Sequence, residues 1–296
     1  MSVDRVAVFE GQRERLQKLA YRMLGSVAEA EDAVQDAWVR WSRAAAEDIA
    51  EPAAWLVRVT TRLCIDRLRA AKAERAAYRG PWLPEPLIEP LTPDPVERAE
   101  DVSVAFLLAL ERLSPLERAV FLLHDVFDED YGSIAGTLAR SETAVRQLAS
   151  RAREHVRQAQ PRFSVSQEQA RRLAEAFAEA SARADTAALA ELLAEDAILV
   201  SDGGGKRRAA LRVLVGRDDV LALLRGVAWR WGAARVLSLQ PARINGYPGF
   251  IVERPDGLET MAFQPGENGR IAAIYLVRNP DKLTRAPAHL EVGRGR

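Results

Sequence analysis

The sequence contains a single cysteine, Cys64, so a framework of internal disulfides is excluded. No apolar run approaches the roughly 20 residues that a membrane-spanning helix needs, and we expect no membrane contact. The N-terminus has no signal-peptide pattern, so the sequence predicts a protein of the reducing cytoplasm. With only three histidines and no His/Cys set, we expect neither a metal site nor a cofactor.

The 296-residue chain has no net charge, but its charges are unevenly distributed. Residues 55–79 hold seven Arg or Lys against two acids, and residues 140–157 hold five against two. Residues 29–51 hold seven acids against two arginines. Two basic segments and one acidic segment predict contacts with a polyanion and with a basic or mixed protein surface.

Residues 131–157 have the pattern of a helix-turn-helix, in which two short helices are joined by a tight polar turn. Ser141 is predicted to cap the second helix, and Glu142 lies in its positive first turn. At 100° per residue, one stripe of this helix is apolar: Val145, Leu148, Ala149, Ala152 and Val156. We expect the polar positions to read DNA: Ser141, Thr143, Arg146, Gln147, Ser150 and Arg151. An ordinary amphipathic hairpin with a solvated basic face is the alternative.

From Phe9 to about Ala77 the pattern is helical, with a capping box at Ser26 and Glu29 and with Pro52 near the start of a basic helix. Four apolar residues of that helix are predicted to pack inward: Trp55, Val59, Leu63 and Leu68. The remaining face offers donors to phosphates and bases: Arg58, Thr61, Arg62, Arg67 and Arg69. A solvated charged helix is the alternative.

Residues 80–95 contain six prolines and predict an extended, semi-rigid connection. Beyond them, Ser114, Pro115 and Glu117 supply the N-cap, the N1 proline and the capping-box acid of a helix just upstream of the helix-turn-helix. The sequence is therefore expected to divide into a helical domain, a linker, a helix-turn-helix domain and a third domain, at residues 1–78, 79–96, 97–160 and 161–296.

The third domain is predicted to be an α+β cone. Two helical stretches, about 166–183 and 186–194, precede a series of β-type runs, which one helix at about 217–229 interrupts. The runs are AILVS, RAALRVLVG, ARVLSLQPARI, FIVERP, LETMAFQ and RIAAIYLVR. Helices followed by a curved, mostly antiparallel sheet describe a cone able to enclose a pocket.

Catalysis in this domain would need a carboxylate as general acid or base, such as Asp196, Asp202 or Glu253, because no histidine lies between residues 161 and 288. There is also no nucleophile with an evident base. We therefore expect that the protein is not an enzyme.

The ordered motifs AYRMLGSVAEAEDAVQDAWVRW, WLVRVTTRLCIDRLR and LERLSPLERAVFLLHDVF, followed by the helix-turn-helix, resemble the extracytoplasmic-function (ECF) sigma factors of bacterial RNA polymerase. GPWLPEPL, DGGGK and NPDKL are similar to the subgroup that carries a fused SnoaL-like domain. The resemblance implies a multidomain protein: two all-α sigma domains, the second with the helix-turn-helix, and a C-terminal α+β SnoaL-like cone.

The resemblance also implies partners. Core RNA polymerase would be bound at its flap and at the clamp helices of its largest subunit, the latter through Glu31, Asp32, Gln35, Asp36 and Trp38. The basic helix and the helix-turn-helix would read the minus 10 and minus 35 elements of promoter DNA. Regulation by the cone, through intramolecular contact with the sigma domains, would use Trp82, Asp202, Gly203, Gly204, Gly205, Lys206, Asn279, Pro280, Asp281, Lys282 and Leu283.

Several alternatives stay open from the residues alone. Three glycines also suit an ordinary hairpin turn, and NPDKL equally suits a turn after the last strand. In the functional interpretation, Lys206 and the neighbouring backbone amides touch the sigma half. Two other classes of protein remain: a ligand-sensing helix-turn-helix transcription regulator, and a bifunctional protein with an enzymatic cone domain.

Overall fold

The structure is a computed structural model that describes residues 4–44, 49–90, 103–159, 166–231, 236–266 and 269–287. The chain divides into two compact units. The helical unit comprises Met1–Ala77 and Ala105–Gln160, and the sheet unit comprises Tyr78–Val104 and Pro161–Arg296. The linker is therefore grouped with the C-terminal part of the chain, whereas the predicted boundaries at 78, 96 and 160 stay predictions.

The helical unit begins with three long helices, whose ends follow the capping signals of the sequence. Asp4 caps the first, and Ser26 accepts a hydrogen bond from the Glu29 amide at the start of the second. The first helix ends at Gly25, which adopts the left-handed φ of 69° that glycine tolerates. The helices are α1 Arg5–Leu24, α2 Val27–Arg43 and α3 Pro52–Ala76.

The prediction of which α3 residues pack inward is wrong in detail. Of the four predicted residues only Leu63 is buried, and Trp55, Val59 and Leu68 are half-buried. The buried residues of this helix are Leu56, Val57, Thr60, Thr61, Leu63, Cys64 and Ile65. Because α3 contacts α1 and α2 as well as helices from the second half of the unit, its buried face is wider than one stripe.

The second half of the helical unit contains the predicted helix-turn-helix. Its helices are α4 Val104–Glu111, α5 Pro115–Phe121, which continues into a π-helical turn at Leu122–Val126, α6 Tyr131–Leu138 and α7 Glu142–Ala159. The predicted capping box at Ser114 and Glu117 is confirmed. The apolar stripe of α7 is also confirmed, since Val145, Ala149, Ala152 and Val156 are buried and Leu148 is half-buried.

The sheet unit combines three helices with seven strands. The helices are α8 Gln167–Ala182, α9 Thr186–Leu192 and α10 Arg217–Trp231. The strands are β1 Ile88–Pro90, β2 Leu193–Asp202, β3 Leu214–Val215, β4 Ser238–Ile244, β5 Tyr247–Arg254, β6 Gly257–Pro265 and β7 Ile271–Val277. A short 3-10 helix, Pro280–Lys282, follows the last strand.

The strand order is β1-β4-β5-β6-β7-β2-β3, and every pair is antiparallel except β2 with β7. The helices cover an apolar core in which the Phe263 ring packs against those of Phe177 and Phe250. The α+β prediction for this part of the chain is confirmed.

Two strand predictions need correction. Of the run RAALRVLVG, only Leu214 and Val215 form a strand, because Arg207 bends the preceding loop toward the β5–β6 turn, where it pairs with Asp256 and donates to the carbonyl of Leu258. Conversely, part of the proline-rich linker forms β1, an edge strand that pairs with β4. An edge position tolerates Pro90 because its missing amide is not needed inside the sheet.

Candidate functional site

The outer face of α7 carries the residues that were predicted to read DNA upstream. Ser141 caps the helix by accepting a hydrogen bond from the Ala144 amide at 3.2 Å. Arg146 pairs with Glu142, and its guanidinium lies 4.5 Å from the ring centroid of Tyr131. Six side chains of this set are exposed together: Ser141, Thr143, Arg146, Gln147, Ser150 and Arg151. Their contact with DNA stays a prediction.

The basic residues of α3 are partly engaged within the helical unit. Arg62 Nε donates to the Thr137 carbonyl of α6 at 2.8 Å, so it contacts the helix-turn-helix directly. Arg67 pairs with Asp36 at 2.7 Å, and Arg69 pairs with Asp66 at 3.5 Å. Arg58 is exposed.

Thr61 does not belong to the exposed face of α3. Its side chain is fully buried, and its hydroxyl donates to the Val57 carbonyl one turn earlier at 2.8 Å. A Thr hydroxyl satisfied inside its own helix cannot reach a base or a phosphate, so this position is removed from the DNA-facing set in this conformation.

The residues of α2 that were predicted to bind polymerase are at least partly exposed. Asp32, Gln35 and Asp36 are exposed, while Glu31 and Trp38 are half-buried. The Trp38 ring packs against Phe9 of α1, with 4.9 Å between the ring centroids. Trp38 therefore combines packing with partial exposure, as an interface anchor requires.

Cys64 lies fully buried in α3, and burial raises the pKa of its thiol to about 12 although the charge of Arg67 opposes the shift. Since only the thiolate reacts, we expect no labelling by N-ethylmaleimide at about pH 8 in the folded protein and complete labelling in denaturant. Intact mass spectrometry measures this without ambiguity, because the chain has no other cysteine. One equivalent of label in native buffer would contradict the buried placement.

The linker is held to the sheet unit by a cluster that we call the linker clasp: Tyr78, Leu83, Asp202, Asn279 and Lys282. Asp202, at the end of β2, is completely buried, and its carboxylate accepts four hydrogen bonds. Oδ1 accepts from the Tyr78 hydroxyl at 2.6 Å and the Gly204 amide at 2.9 Å. Oδ2 accepts from the Leu83 amide at 2.9 Å and from Lys282 Nζ at 2.7 Å.

Lys282 connects the Asp202 carboxylate with the backbone of the linker. Its Nζ also donates to the Leu83 carbonyl, and it lies 4.2 Å from the ring centroid of Trp82 and 5.1 Å from that of Tyr78. The lysine side chain is only 13% exposed. A buried ammonium therefore has a carboxylate, a carbonyl and two aromatic faces around it, which together replace its lost water.

Asn279 joins the two C-terminal motifs to the linker. Its side-chain amide donates to the Tyr78 hydroxyl at 2.9 Å, and its Oδ1 caps the short helix at the Asp281 amide. The amides of Asn279 and Arg278 both donate to the Asp202 carbonyl, at 3.0 and 2.7 Å. The DGGGK and NPDKL segments thus form one structure with the start of the linker.

The remaining predicted regulatory residues support or surround the clasp. Lys206 pairs with the exposed Asp281, and its predicted contact with the sigma half stays a prediction. Leu283 is buried, and its amide donates to the Pro280 carbonyl at 3.1 Å. Gly203 leaves no room for a side chain, since an added Cβ would lie 2.2 Å from the Arg207 carbonyl oxygen; Gly205 adopts a left-handed φ of 71° beside Arg79.

The sequence reasoning missed Tyr78 and a second attachment further along the linker. The Leu87 amide donates to Asn245 Oδ1 at 3.1 Å, and the Asn245 amide donates back to the Leu87 carbonyl at 2.9 Å. Asn245 is buried in the β4–β5 turn at a positive φ of 46°, which asparagine tolerates better than most residues. The NG dipeptide signalled the turn, but no local signal shows that the side chain would hold the linker.

The three carboxylates offered as general acids or bases lie away from the large cavity of the sheet unit. That cavity has a volume of about 860 Å³, and its lining includes none of Asp196, Asp202 and Glu253. Within the ranges that the structure describes, no group of three His, Cys, Asp or Glu is placed to hold a metal ion. Among the helices described, none is both long and apolar enough to cross a bilayer.

An exposed helix-turn-helix face, a basic helix packed beside it and a separate α+β unit that holds the connecting segment define a DNA-binding transcription protein with an appended domain. Residues 8–74 match the family model for Sigma-70 region 2, and residues 103–156 match that for Sigma-70 region 4.

The chain is 38% identical over 307 residues to the ECF RNA polymerase sigma factor SigJ of Mycobacterium tuberculosis, covering 98% of each chain. It is 33% identical over 297 residues to the probable ECF RNA polymerase sigma factor SigI of that organism, covering 98% of this chain and 97% of SigI. The crystal structure of Mycobacterium tuberculosis SigJ matches with a TM-score of 0.77 at 34% identity, covering 96% of this chain and all of that one. The chain belongs to the ECF RNA polymerase sigma factors.

Membership in this family confirms the multidomain fold class, with two helical sigma domains and a C-terminal sheet domain. It also confirms the function predicted from the ordered motifs, which is promoter-specific initiation of transcription.

Proposed function

We propose that this sigma factor binds core RNA polymerase through the acidic face of α2, reads the minus 10 element with α3 and the minus 35 element with α7, and is regulated by the linker clasp. The observation that carries the proposal is the burial of Asp202 against the linker, because it ties the segment between the two DNA-reading regions to the sheet unit. The polymerase contacts would be made with the clamp helices and the flap.

The contacts of Arg62 and Arg67 indicate what must change on promoter binding. Arg62 donates to the Thr137 carbonyl, and Arg67 pairs with Asp36, so both guanidiniums are engaged inside the helical unit. The Arg67–Asp36 ion pair is partly exposed and stabilises the protein by roughly 0–1 kcal/mol. The Arg62 hydrogen bond is part-buried and contributes roughly 1.5–3 kcal/mol, so new contacts with DNA or polymerase must replace it before α3 can separate from α6.

The clasp supports regulation because it holds the first half of the linker. Residues 78–90 are bound at Asp202, at Asn245 and along β4, so a change in the sheet unit is transmitted to the segment that connects the two sigma regions. No catalytic step is assigned to the sheet unit, since neither the family nor the carboxylate placement calls for one.

The test is run-off transcription with purified core polymerase on a promoter library. We expect enrichment of promoters with two conserved parts, and no enrichment of any bipartite promoter would overturn the assignment. Tight duplex binding without polymerase would instead support a separate helix-turn-helix regulator.

Comparison of the full chain with versions that end near Phe163 and just before Asn279 measures the contribution of the sheet unit and of the NPDKL segment. Equal transcription by all three would contradict regulation by the clasp.

Arg146→Ala should weaken binding to the preferred minus 35 sequence by about 1–3 kcal/mol, because a bidentate contact with a guanine edge has this value. Its side chain is 59% exposed, so DNA can replace its pairing with Glu142. The matched control is Arg157→Ala, further along the same helix, which also pairs with a nearby glutamate. The measurement is holoenzyme binding to promoters that differ only in the minus 35 element. Equal loss on every sequence would identify Arg146 as a phosphate contact.

A further inference from the structure

We propose that the cavity of the sheet unit is a binding site for an apolar small molecule that ends in a carboxylate. At about 860 Å³ it lies within the range of pockets that enclose small ligands, roughly 300–1,000 Å³. Its lining includes no residue of the linker clasp, and the proposed polymerase and promoter contacts do not use it.

The floor of the cavity changes from apolar to charged along three adjacent strands, β5, β6 and β7. In a strand alternate residues face the same side, and three antiparallel neighbours place their inward residues in register. The order on β5 is Phe250, Val252 and Arg254; on β6, read backwards, it is Phe263, Met261 and Glu259; on β7 and just beyond, it is Ile274, Leu276 and Arg278. One end of the cavity is therefore apolar and the other is charged.

The charged end has an excess of guanidinium groups. Among the described residues, four arginines and one glutamate line the cavity: Arg208, Arg225, Arg254, Arg278 and Glu259. Both oxygens of the buried Glu259 are already occupied, by Arg254 Nε at 2.6 Å and by Arg278 Nε at 2.8 Å. Arg278 also pairs with Asp256, outside the lining, at 2.8 Å. Arg208 and Arg225 have no acidic partner among the described residues, and the described lining includes no lysine, aspartate or histidine, so the electrostatic balance favours an anionic group.

Some guanidinium N–H groups at the cavity are still free to donate to an anionic ligand group. Arg254 uses only its Nε, and among the described residues its two terminal nitrogens have no hydrogen-bond partner. Its side chain is 17% exposed, and the exposed Arg208 lines the same cavity without an acidic partner in the described part of the chain. Two planar guanidinium groups match the two oxygens of a carboxylate, whereas an alcohol or amide head would leave their charge uncompensated.

The apolar end selects the body of the ligand. Phe250, Phe263 and Ile274 are buried beneath it, and the facing surface is formed by small and aliphatic residues of α8 and α10. Because apolar surface gains about 25 cal/mol per Å² on leaving water, an alkyl or alicyclic body is favoured over a sugar or nucleotide.

The experiment is calorimetric titration of the full chain with octanoate and with 1-octanol, which share the apolar chain and differ in charge. We expect octanoate to bind at least tenfold more tightly, because only its carboxylate accepts charge-assisted hydrogen bonds from the guanidinium groups. No octanoate binding, or equal affinity for the two probes, would overturn the proposal. The titration contains neither polymerase nor DNA, so its failure would leave the proposed function unaffected.

Variants locate the binding. Arg254→Gln risks unfolding because it releases the buried Glu259, so the exposed Arg208→Gln is the informative variant, and it should weaken octanoate binding severalfold without changing that of 1-octanol. The control is Arg212→Gln, which changes an exposed arginine of the same unit outside the cavity lining and should alter the affinity for neither probe.

Ala222→Trp fills the cavity from α10 at an exposed position and should abolish binding of both probes. Unchanged binding in Ala222→Trp would place the probes elsewhere and overturn the assignment.

Discussion

Asp202→Asn should release the linker from the sheet unit and destabilise the clasp by about 3–5 kcal/mol, which is the typical loss when one partner of a buried ion pair is removed. The amide is nearly isosteric with the carboxylate, so the loss arises from charge and hydrogen bonding and not from a cavity. Where Oδ2 now accepts from Leu83 and Lys282, an amide nitrogen would face two donors, and the ammonium of Lys282 would remain buried without its carboxylate.

Tryptic cleavage after Arg79 measures this release, because Arg79 is exposed at the start of the linker and the following bond becomes accessible when the clasp opens. A loss of 3 kcal/mol corresponds to an increase in cleavage rate of roughly 100-fold when opening is in rapid equilibrium. Asp281→Asn is the matched control, since it removes the exposed aspartate of the neighbouring Lys206 pair and should cost only about 0–1 kcal/mol.

The double variant Asp202→Asn with Lys282→Met distinguishes an unpaired charge from general damage to the clasp. Removal of both ionic partners should recover part of the stability lost in Asp202→Asn alone, because an apolar side chain can occupy the site between Tyr78 and Trp82. Cleavage of Asp202→Asn at the rate of the native protein would show that the carboxylate does not hold the linker.

Gly204→Ala should be nearly as disruptive as the loss of the Asp202 charge, with an expected cost of about 2–4 kcal/mol from backbone strain and overpacking. Gly204 adopts a left-handed φ of 61°, and an added Cβ would lie 2.4 Å from the side-chain carbon and nitrogen of Asn279. Asn279 cannot move aside freely, because it donates to Tyr78 and caps the helix at Asp281.

Gly226→Ala is the control for the Gly204 variant. It lies in α10 of the same unit, where an added Cβ meets nothing within 4 Å, and a glycine-to-alanine change in a helix should stabilise the protein by about 0.5–1 kcal/mol. Scanning calorimetry and the tryptic assay should therefore move in opposite directions for the two variants. Similar stability of both variants would show that the tight approach of Gly204 to Asn279 is not required.

Local features were accessible from the sequence because their causes are local. The cap at Ser114, the apolar stripe of α7 and the NG turn at Asn245 depend on residues within a few positions of one another. The inward face of α3 was assigned less well, and Thr61 wrongly, because neighbours on several sides decide which residues of that helix are buried.

The contacts within the linker clasp could not be predicted from the sequence. Trp82, DGGGK and NPDKL were singled out one by one, but the chain separates Tyr78 from Asp202 by 124 residues and from Asn279 by 201. No periodicity or spacing reports a contact over that range, and so the role of Tyr78 in the clasp was not predicted.

By itself the sequence determined the order of the helical regions, the exposed basic face of α7, the proline-rich connection and the α+β character of the C-terminal part, since capping, periodicity and turn chemistry specify these locally. Tertiary structure alone decided that the linker becomes an edge strand, that Asp202 is buried as its anchor and that charged residues of three strands gather at one end of a cavity. The physical reason is that burial and ion pairing depend on which distant segments are brought together, and only the folded chain fixes those neighbours.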